Sequence, residues 1–361
     1  MGNSRRIFQG ILASAVLFWG CRSAQPPEPQ QQNSESEGAE ETATSSQTAA
    51  VTAPTLAARQ LENGVFSFEI DGTRIYQITD AEMNYESRYL FSDVPEEVMK
   101  QHNVPSDQVL LTWTHPLIKV GGKNVMLDVG GGCGGEGVRG FMSKADHSTT
   151  RVDLLQDNLK AIGLTADDID AIVVTHAHTD HINGLLNENE EVLFPNATIY
   201  ISKVEWDFWN DLDPETIEDP LRRKAITGLK EGALRHFAKI ESQVVYIDEG
   251  DRQELFPGVF TEPAYGHTAG QIMVSVGSGA QKMYYFSDVF LHPVFVSIPD
   301  ISQGFDADPE RNNALKRPFL ERFERENAIL WGQNFPPKTV IGYVVPQDDA
   351  WLWTPFDLSV D

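Results

Sequence analysis

Cysteine is nearly absent, with two in 361 residues, Cys21 and Cys133. Cys21 falls in an N-terminal export-like segment, so the body of the chain keeps one thiol. One thiol excludes an intrachain disulfide there and excludes a cysteine-based zinc cage. Positive charge is also scarce: 28 Lys and Arg face 53 Asp and Glu, a net charge of −25. So negative a surface repels phosphate backbones and argues against nucleic acid as a partner. Long apolar runs are missing as well. Ile11–Trp19 is the clearest stretch, and it is too short to span a bilayer. What is present is a 41% hydrophobic composition with seven Trp, enough for a globular core.

The N-terminus reads as an address. Residues 1–21 have the order of a signal peptide: Arg5 and Arg6, then the short apolar stretch, then Cys21. Ser4-Arg5-Arg6-Ile7-Phe8 resembles a twin-arginine signal. Phe18-Trp19-Gly20-Cys21 resembles a bacterial lipobox, although Phe and Trp are unusual in its first positions. Lipidation of Cys21 would tether the protein to a membrane surface without spanning it. Residues 22–61 are rich in Gln, Ser, Glu, Thr, Ala and Pro. Such a segment buries too little to offset its ordering entropy, so it reads as a linker. The expectation is an exported bacterial protein, in the periplasm or anchored at the outer membrane, with its folded domain over residues 62–361.

Within that domain, Val65–Ile70 alternates like a half-buried strand. Asp71-Gly72 supplies a turn, and Arg74–Thr79 follows as its partner. Thr114–Val120 and Asn124–Asp128 suggest a second hairpin across Gly121-Gly122. Residues 81–110 between the two pairs are polar and irregular, with a short helix at Pro95–His102. Arg151–Ile162 carries apolar residues at helical spacing, stopped by Gly163. Asp170–Thr175 and Thr198–Ile201 read as buried strands. Glu205–Asn210 opens an aromatic-rich helical stretch reaching about Ile240. Further strands are expected at Val244–Ile247, Val259–Glu262, Ile272–Val276, Lys282–Ser287 and Thr339–Val345, with a helix at Arg311–Glu326. The pattern is one layered α/β domain with no internal repeat.

The chemistry concentrates in His176-Ala177-His178-Thr179-Asp180-His181. His176 and His178 are two apart, just beyond a strand. Alternate residues of an extended segment point the same way, so the two imidazoles can converge on one ion. Asp180 and His181 lie at the following turn and can reach a second point nearby. Borderline divalent ions take imidazole and carboxylate together, with a position left for water. The chain has only nine His, so three within six residues form a specific signal.

These residues carry a resemblance. Thr175–His181 resembles the signature of the metallo-β-lactamase superfamily. Leu127-Asp128-Val129-Gly130 resembles its LxDxG segment. Tyr265-Gly266-His267-Thr268-Ala269-Gly270 resembles its GHTxG segment, and Phe286-Ser287-Asp288 its aspartate at a strand end. The likeness runs over most of residues 62–345 and is greatest to the branch of methyl parathion hydrolase and the quorum-quenching lactonases. It implies an αββα sandwich with a two-metal site between its sheets. His176, His178 and His267 would hold the first ion, and Asp180 and His181 the second. Asp288 would bridge the two together with a hydroxide, and Asp180 would orient that hydroxide. Zinc is the implied ion, with manganese or iron as alternatives.

One position departs from the family pattern. Relatives carry a seventh ligand, a histidine, where this chain reads Gln333-Asn334-Phe335-Pro336. Asn334 offers only a carbonyl oxygen, a weaker ligand than imidazole, which leaves the second site short. His292 is the sole histidine after His267. It is a candidate to line the pocket, protonate a leaving group or stand in as a ligand. Trp206, Phe208, Trp209 and Phe237 are core residues or, as the branch suggests, an apolar substrate wall. The expected activity is metal-dependent hydrolysis of a small lactone or ester with an apolar part. The alternatives are phosphotriester or aryl ester hydrolysis, and a non-catalytic metal-binding lipoprotein.

Overall fold

The computed structural model describes residues 53–132 and 153–358. The export signal, Cys21, most of the linker and Cys133 lie outside the described residues. Fifteen strands form two sheets. The first sheet runs in chain order: β1 (Arg59–Gln60), β2 (Phe66–Ile70), β3 (Thr73–Glu86), β4 (Gln108–Val120), β5 (Lys123–Leu127), β6 (Ala171–Val174), β7 (Thr198–Ser202) and β8 (Val244–Ile247). Pairing is antiparallel from β1 to β5 and parallel from β5 to β8. The second sheet comprises β9 (Gln253–Phe256), β10 (Val259–Pro263), β11 (Ile272–Val276), β12 (Met283–Tyr285), β13 (Ile329–Trp331), β14 (Ile341–Gln347) and β15 (Ala350–Pro355). It is antiparallel except where β12 meets β13.

Strand alternation sorts the buried residues into two cores. On β6, Ala171 and Val173 join the core shared with the second sheet, while Ile172 and Val174 join the core on the opposite face. On β5, Val125 and Leu127 face one way and Met126 the other. Both faces of these strands are therefore buried, which is why they read as continuous apolar runs. The helices Leu155–Ala161 and Pro220–Ile240 cover the outer face of the first sheet through Leu155, Leu159, Ala233, Phe237 and Ile240. Pro309–Arg325 covers the second sheet through Phe319, Leu320 and Phe323. Layers of helix, sheet, sheet and helix result, as the resemblance implied.

Several expectations shift. The two hairpins are one sheet, because β3 runs on to Glu86 and pairs with β4 from Gln108 onward. Residues 81–86 looked irregular because a register shift at Thr79/Ala81 puts their alternation out of phase with that of residues 73–79. The long aromatic helix is two helices, Lys203–Asp211 and Pro220–Ile240. Asp213 caps a short turn at Pro214, where the missing N–H and the ring of proline favour a break over a continued helix. Described residues before 62 also join the fold. β1 pairs with β2, and Leu56 and Ala58 pack on the core. β9, β13 and β15 were not anticipated. β9 and β13 are short and β15 is apolar on both faces, so neither length nor alternation marks them.

Candidate metal centre

The site sits where β5, β6 and β12 end and loops begin. β6 stops at Val174, and His176, His178 and the one-turn helix Thr179–Ile182 follow directly. Ile272 N–H donates to Thr175 O at 3.0 Å, tying the first sheet to the second at this edge. His267 arrives on the loop between β10 and β11, and Asp288 on the turn after β12.

His176, His178, His267 and Asp288 form one group whose ligand atoms lie within 4.8 Å of one another, and Asp180, His181 and Asp288 form a second. His178 Nδ1 is 3.1 Å from His176 Nε2 and 2.9 Å from His267 Nε2. Asp288 Oδ2 is 3.2 Å from His267 Nε2 and 3.7 Å from His176 Nε2. All four residues are buried. Burial and the neighbouring histidines hold the His176 ring well below its ordinary pKa and His178 at about 3. Both rings are therefore neutral, the state in which imidazole binds a metal. Burial works against the charged form of Asp288, yet His181 and His267 keep its carboxyl well below the usual carboxylate range.

The supporting residues fix these rings. His267 Nδ1 lies 2.9 Å from Asp306 Oδ1; a carboxylate accepts, so Nδ1 carries the proton and Nε2 faces the cluster. Asp306 is itself held by Gln303 and Asn312. Asp128 does the same for His181, accepting from Nδ1 at 2.9 Å. Asp128 also accepts from Thr175 N and Thr175 Oγ1, both at 2.7 Å. It adopts a left-handed backbone with φ 56° to do so. Next to it, Gly130 is obligatory: a Cβ there would lie 2.2 Å from Asp80 Oδ2. Glu205, fully buried, accepts from Ala177 N, Trp209 Nε1, Thr268 Oγ1 and Gly270 N. It bolts the loop of His176 and His178 to the loop of His267.

The first group fits a divalent cation. Three imidazole nitrogens and a carboxylate oxygen converge, and two of the rings are neutral. The second group does not fit as it stands, because side-chain amides already occupy its ligand atoms. Asn334 Nδ2 donates to Asp288 Oδ1 at 3.0 Å and to Asp180 Oδ2 at 3.2 Å. Gln333 Nε2 lies 3.2 Å from His181 Nε2 and donates to Asp180 O at 3.0 Å.

The sequence placed His176, His178, Asp180, His181, His267, Asp288 and Asn334 together, and the structure brings all seven to one locus. His292 lies in neither metal-ligand group among the described residues. Its Nδ1 accepts from Val294 N at 3.2 Å, and its ring stands edge-on to Phe91, 5.3 Å between centroids. Burial lowers it to about 3, so it stays neutral. Trp209 is 1% exposed and bonded to Glu205, while Trp206 stacks on Phe237 at 4.0 Å. Those aromatics belong to the helix-side core. Asp128 was legible as a motif residue without a role. Glu205, Asp306 and Gln333 carried no local signal, since their partners are distant in sequence.

The sequence profile of the metallo-beta-lactamase superfamily matches residues 117–330, well over half of the chain. The chain belongs to that superfamily. Among solved structures it is similar to AidC, a dizinc quorum-quenching lactonase in complex with N-hexanoyl-L-homoserine. Identity is 22% with a TM-score of 0.68, over 84% of this chain and 98% of AidC. It is also similar to the hydrolase AbOPH, at 20% identity and a TM-score of 0.66, over 80% of this chain and 96% of AbOPH. Among characterised sequences it is 28% identical over 138 residues to the anti-Pycsar protein Apyc1 of Saccharibacillus brassicae, 37% of this chain. The chain spans about half the length of that relative, 52%.

Proposed function

We propose that this protein hydrolyses a small lactone or ester with an apolar part, using zinc held by His176, His178, His267 and Asp288. The convergence of those three rings and one carboxylate carries the reading. A divalent cation held there lowers the pKa of water and polarises a carbonyl oxygen.

The chain's own residues do the rest. Asp306 and Asp128 set the tautomers of His267 and His181. Asp180 is the least buried acidic group of the site, its side chain 15% exposed. Burial opposes its ionisation, but His181 outweighs that and holds its carboxyl below the usual range. Ionised Asp180 Oδ2 is thus available to accept a hydrogen bond from attacking water and orient it. Ala81, Met83 and Trp113 form a small third cluster with the partly buried Tyr85. Tyr85 lies close enough to Asp180 and Asp288 that, after burial, their charges raise its phenol well above the ordinary value. The fold likeness to lactonases favours the lactone over the phosphotriester. Export and a lipid tether at Cys21 remain part of the proposal, supported by the N-terminal sequence.

A panel of N-acyl homoserine lactones, aryl esters, phosphotriesters and a chromogenic cephalosporin tests this. kcat/KM should be highest on lactones and should rise with acyl length from four to eight carbons by about tenfold or more, as added methylenes are buried. His178→Ala should abolish turnover. Efficient phosphotriester turnover with none on lactones would overturn the substrate assignment.

A further inference from the structure

We propose that this protein holds one cation rather than two, and that the side-chain amides of Gln333 and Asn334 take the place of the second. The inference rests on the metallohydrolase reading above and concerns the number of ions its site takes. Asp288 divides its two oxygens. Oδ2 faces His176 and His267, while Oδ1 accepts from Asn334 Nδ2 at 3.0 Å. The same amide nitrogen reaches Asp180 Oδ2 at 3.2 Å. One Asn334 amide therefore satisfies both carboxylates that would face a second ion. Gln333 engages the third ligand, with Nε2 3.2 Å from His181 Nε2.

An amide nitrogen has no lone pair to give a cation. Either amide would have to turn its oxygen inward to become a ligand. Gln333 is held against that turn. Its Oε1 accepts from the Tyr285 hydroxyl, and its Nε2 also donates to Asp180 O at 3.0 Å. Turned, its oxygen would face that carbonyl oxygen. Asn334 is freer, because its Oδ1 has no hydrogen-bond partner among the described residues. Turned, however, Oδ1 would face two carboxylates that had just lost their donor. Buried carboxylates without a donor or a cation are costly. The pair Gln333–Asn334 thus forms a neutral clasp over the half of the site that a histidine at 334 would open to metal. Asp180 is then held by an amide and free of a second ion, in keeping with its role toward water.

The test is a metal count on the purified chain. Strip the protein by chelation, titrate it with Co²⁺ followed by visible absorption, and in parallel measure zinc per chain after gel filtration. Wild type should saturate at one equivalent. Asn334→His supplies an imidazole lone pair, and Asn334→Asp adds a carboxylate while removing the donor. Each variant should take a second equivalent at least tenfold more tightly than wild type does. Asn334→Asp keeps the side-chain shape, so it carries the test if the histidine variant fails to fold. Two equivalents in wild type would overturn the clasp, by showing that Asn334 turns, and would leave the metallohydrolase reading intact. One equivalent in wild type and in both variants would also overturn it. No bound ion in wild type would overturn the clasp and the metallohydrolase reading together.

Discussion

Glu205 lies in neither candidate metal-ligand group among the described residues, yet both of its oxygens are fully engaged. Ala177 N and Trp209 Nε1 donate to Oε1 at 2.9 and 2.7 Å, and Thr268 Oγ1 and Gly270 N donate to Oε2 at 2.6 and 3.0 Å. Hydrogen bonds to a charged group contribute about 1.5–3 kcal/mol, and leaving a donor unpaired costs a similar amount. Glu205→Gln keeps the shape and turns an NH₂ against two of these donors. It should destabilise the fold by about 2–4 kcal/mol and lower Tm by roughly 4–12 °C. It should also lower zinc per chain, because the loops of His178 and His267 lose their common anchor. An unchanged Tm by calorimetry would refute the anchoring role. A single sequence cannot show this residue's importance, since Thr268 and Gly270 meet it from more than sixty positions away.

At the scale of the element, β3 is the informative strand. Its register shifts between Thr79 and Ala81, and Asp80 leaves the ladder there. The freed carboxylate accepts from Gly131 N at 2.8 Å and is 1% exposed. Burial, with a smaller push from Asp153, raises its pKa to about 6 although the Gly131 N–H pulls the other way. A folded-state pKa above the unfolded one favours the protonated form. Asp80's contribution to stability is therefore full below about pH 3.8 and is lost as pH rises through about 6. A shift of this size corresponds to about 3 kcal/mol. Asp80→Asn should gain about 2 kcal/mol over wild type between pH 4.5 and 7.5 in urea unfolding. Parallel pH profiles for the two proteins would refute this. The same strand shows where pattern reading runs out. Residues 73–79 alternate and were legible as a strand. Residues 81–86 continue it out of phase, so the segment as a whole did not read as one strand.

For the molecule as a whole, the two sheets meet at an edge where the metal ligands gather. β6 and β12 belong to different sheets, and the residues following them, His176 and Asp288, complete one cluster. Trp331 Nε1 donates to Thr114 Oγ1 at 2.9 Å, joining β13 to β4 across the same interior. A cation that binds only this assembled arrangement stabilises it by mass action, about 4 kcal/mol at a thousandfold excess over Kd. Chelation should therefore lower Tm by roughly 8–15 °C, and zinc should restore it. A Tm indifferent to chelator would mean that the cluster holds no ion of consequence.

The sequence by itself determined the superfamily and the layered αββα fold, and it picked out the candidate ligands His176, His178, Asp180, His181, His267 and Asp288 that the structure gathers at one locus. Spacing sets the direction of His176 and His178, and short local motifs that resemble the superfamily's pointed to the others. It also showed Asn334 in a ligand's place. Only the tertiary structure decided what Asn334 does there. Its amide meets Asp180 and Asp288, which are 154 and 46 positions away. The supporting carboxylates Asp128, Glu205 and Asp306 were decided the same way. Their roles depend on which distant donors reach them once water is excluded, and burial makes each such donor consequential.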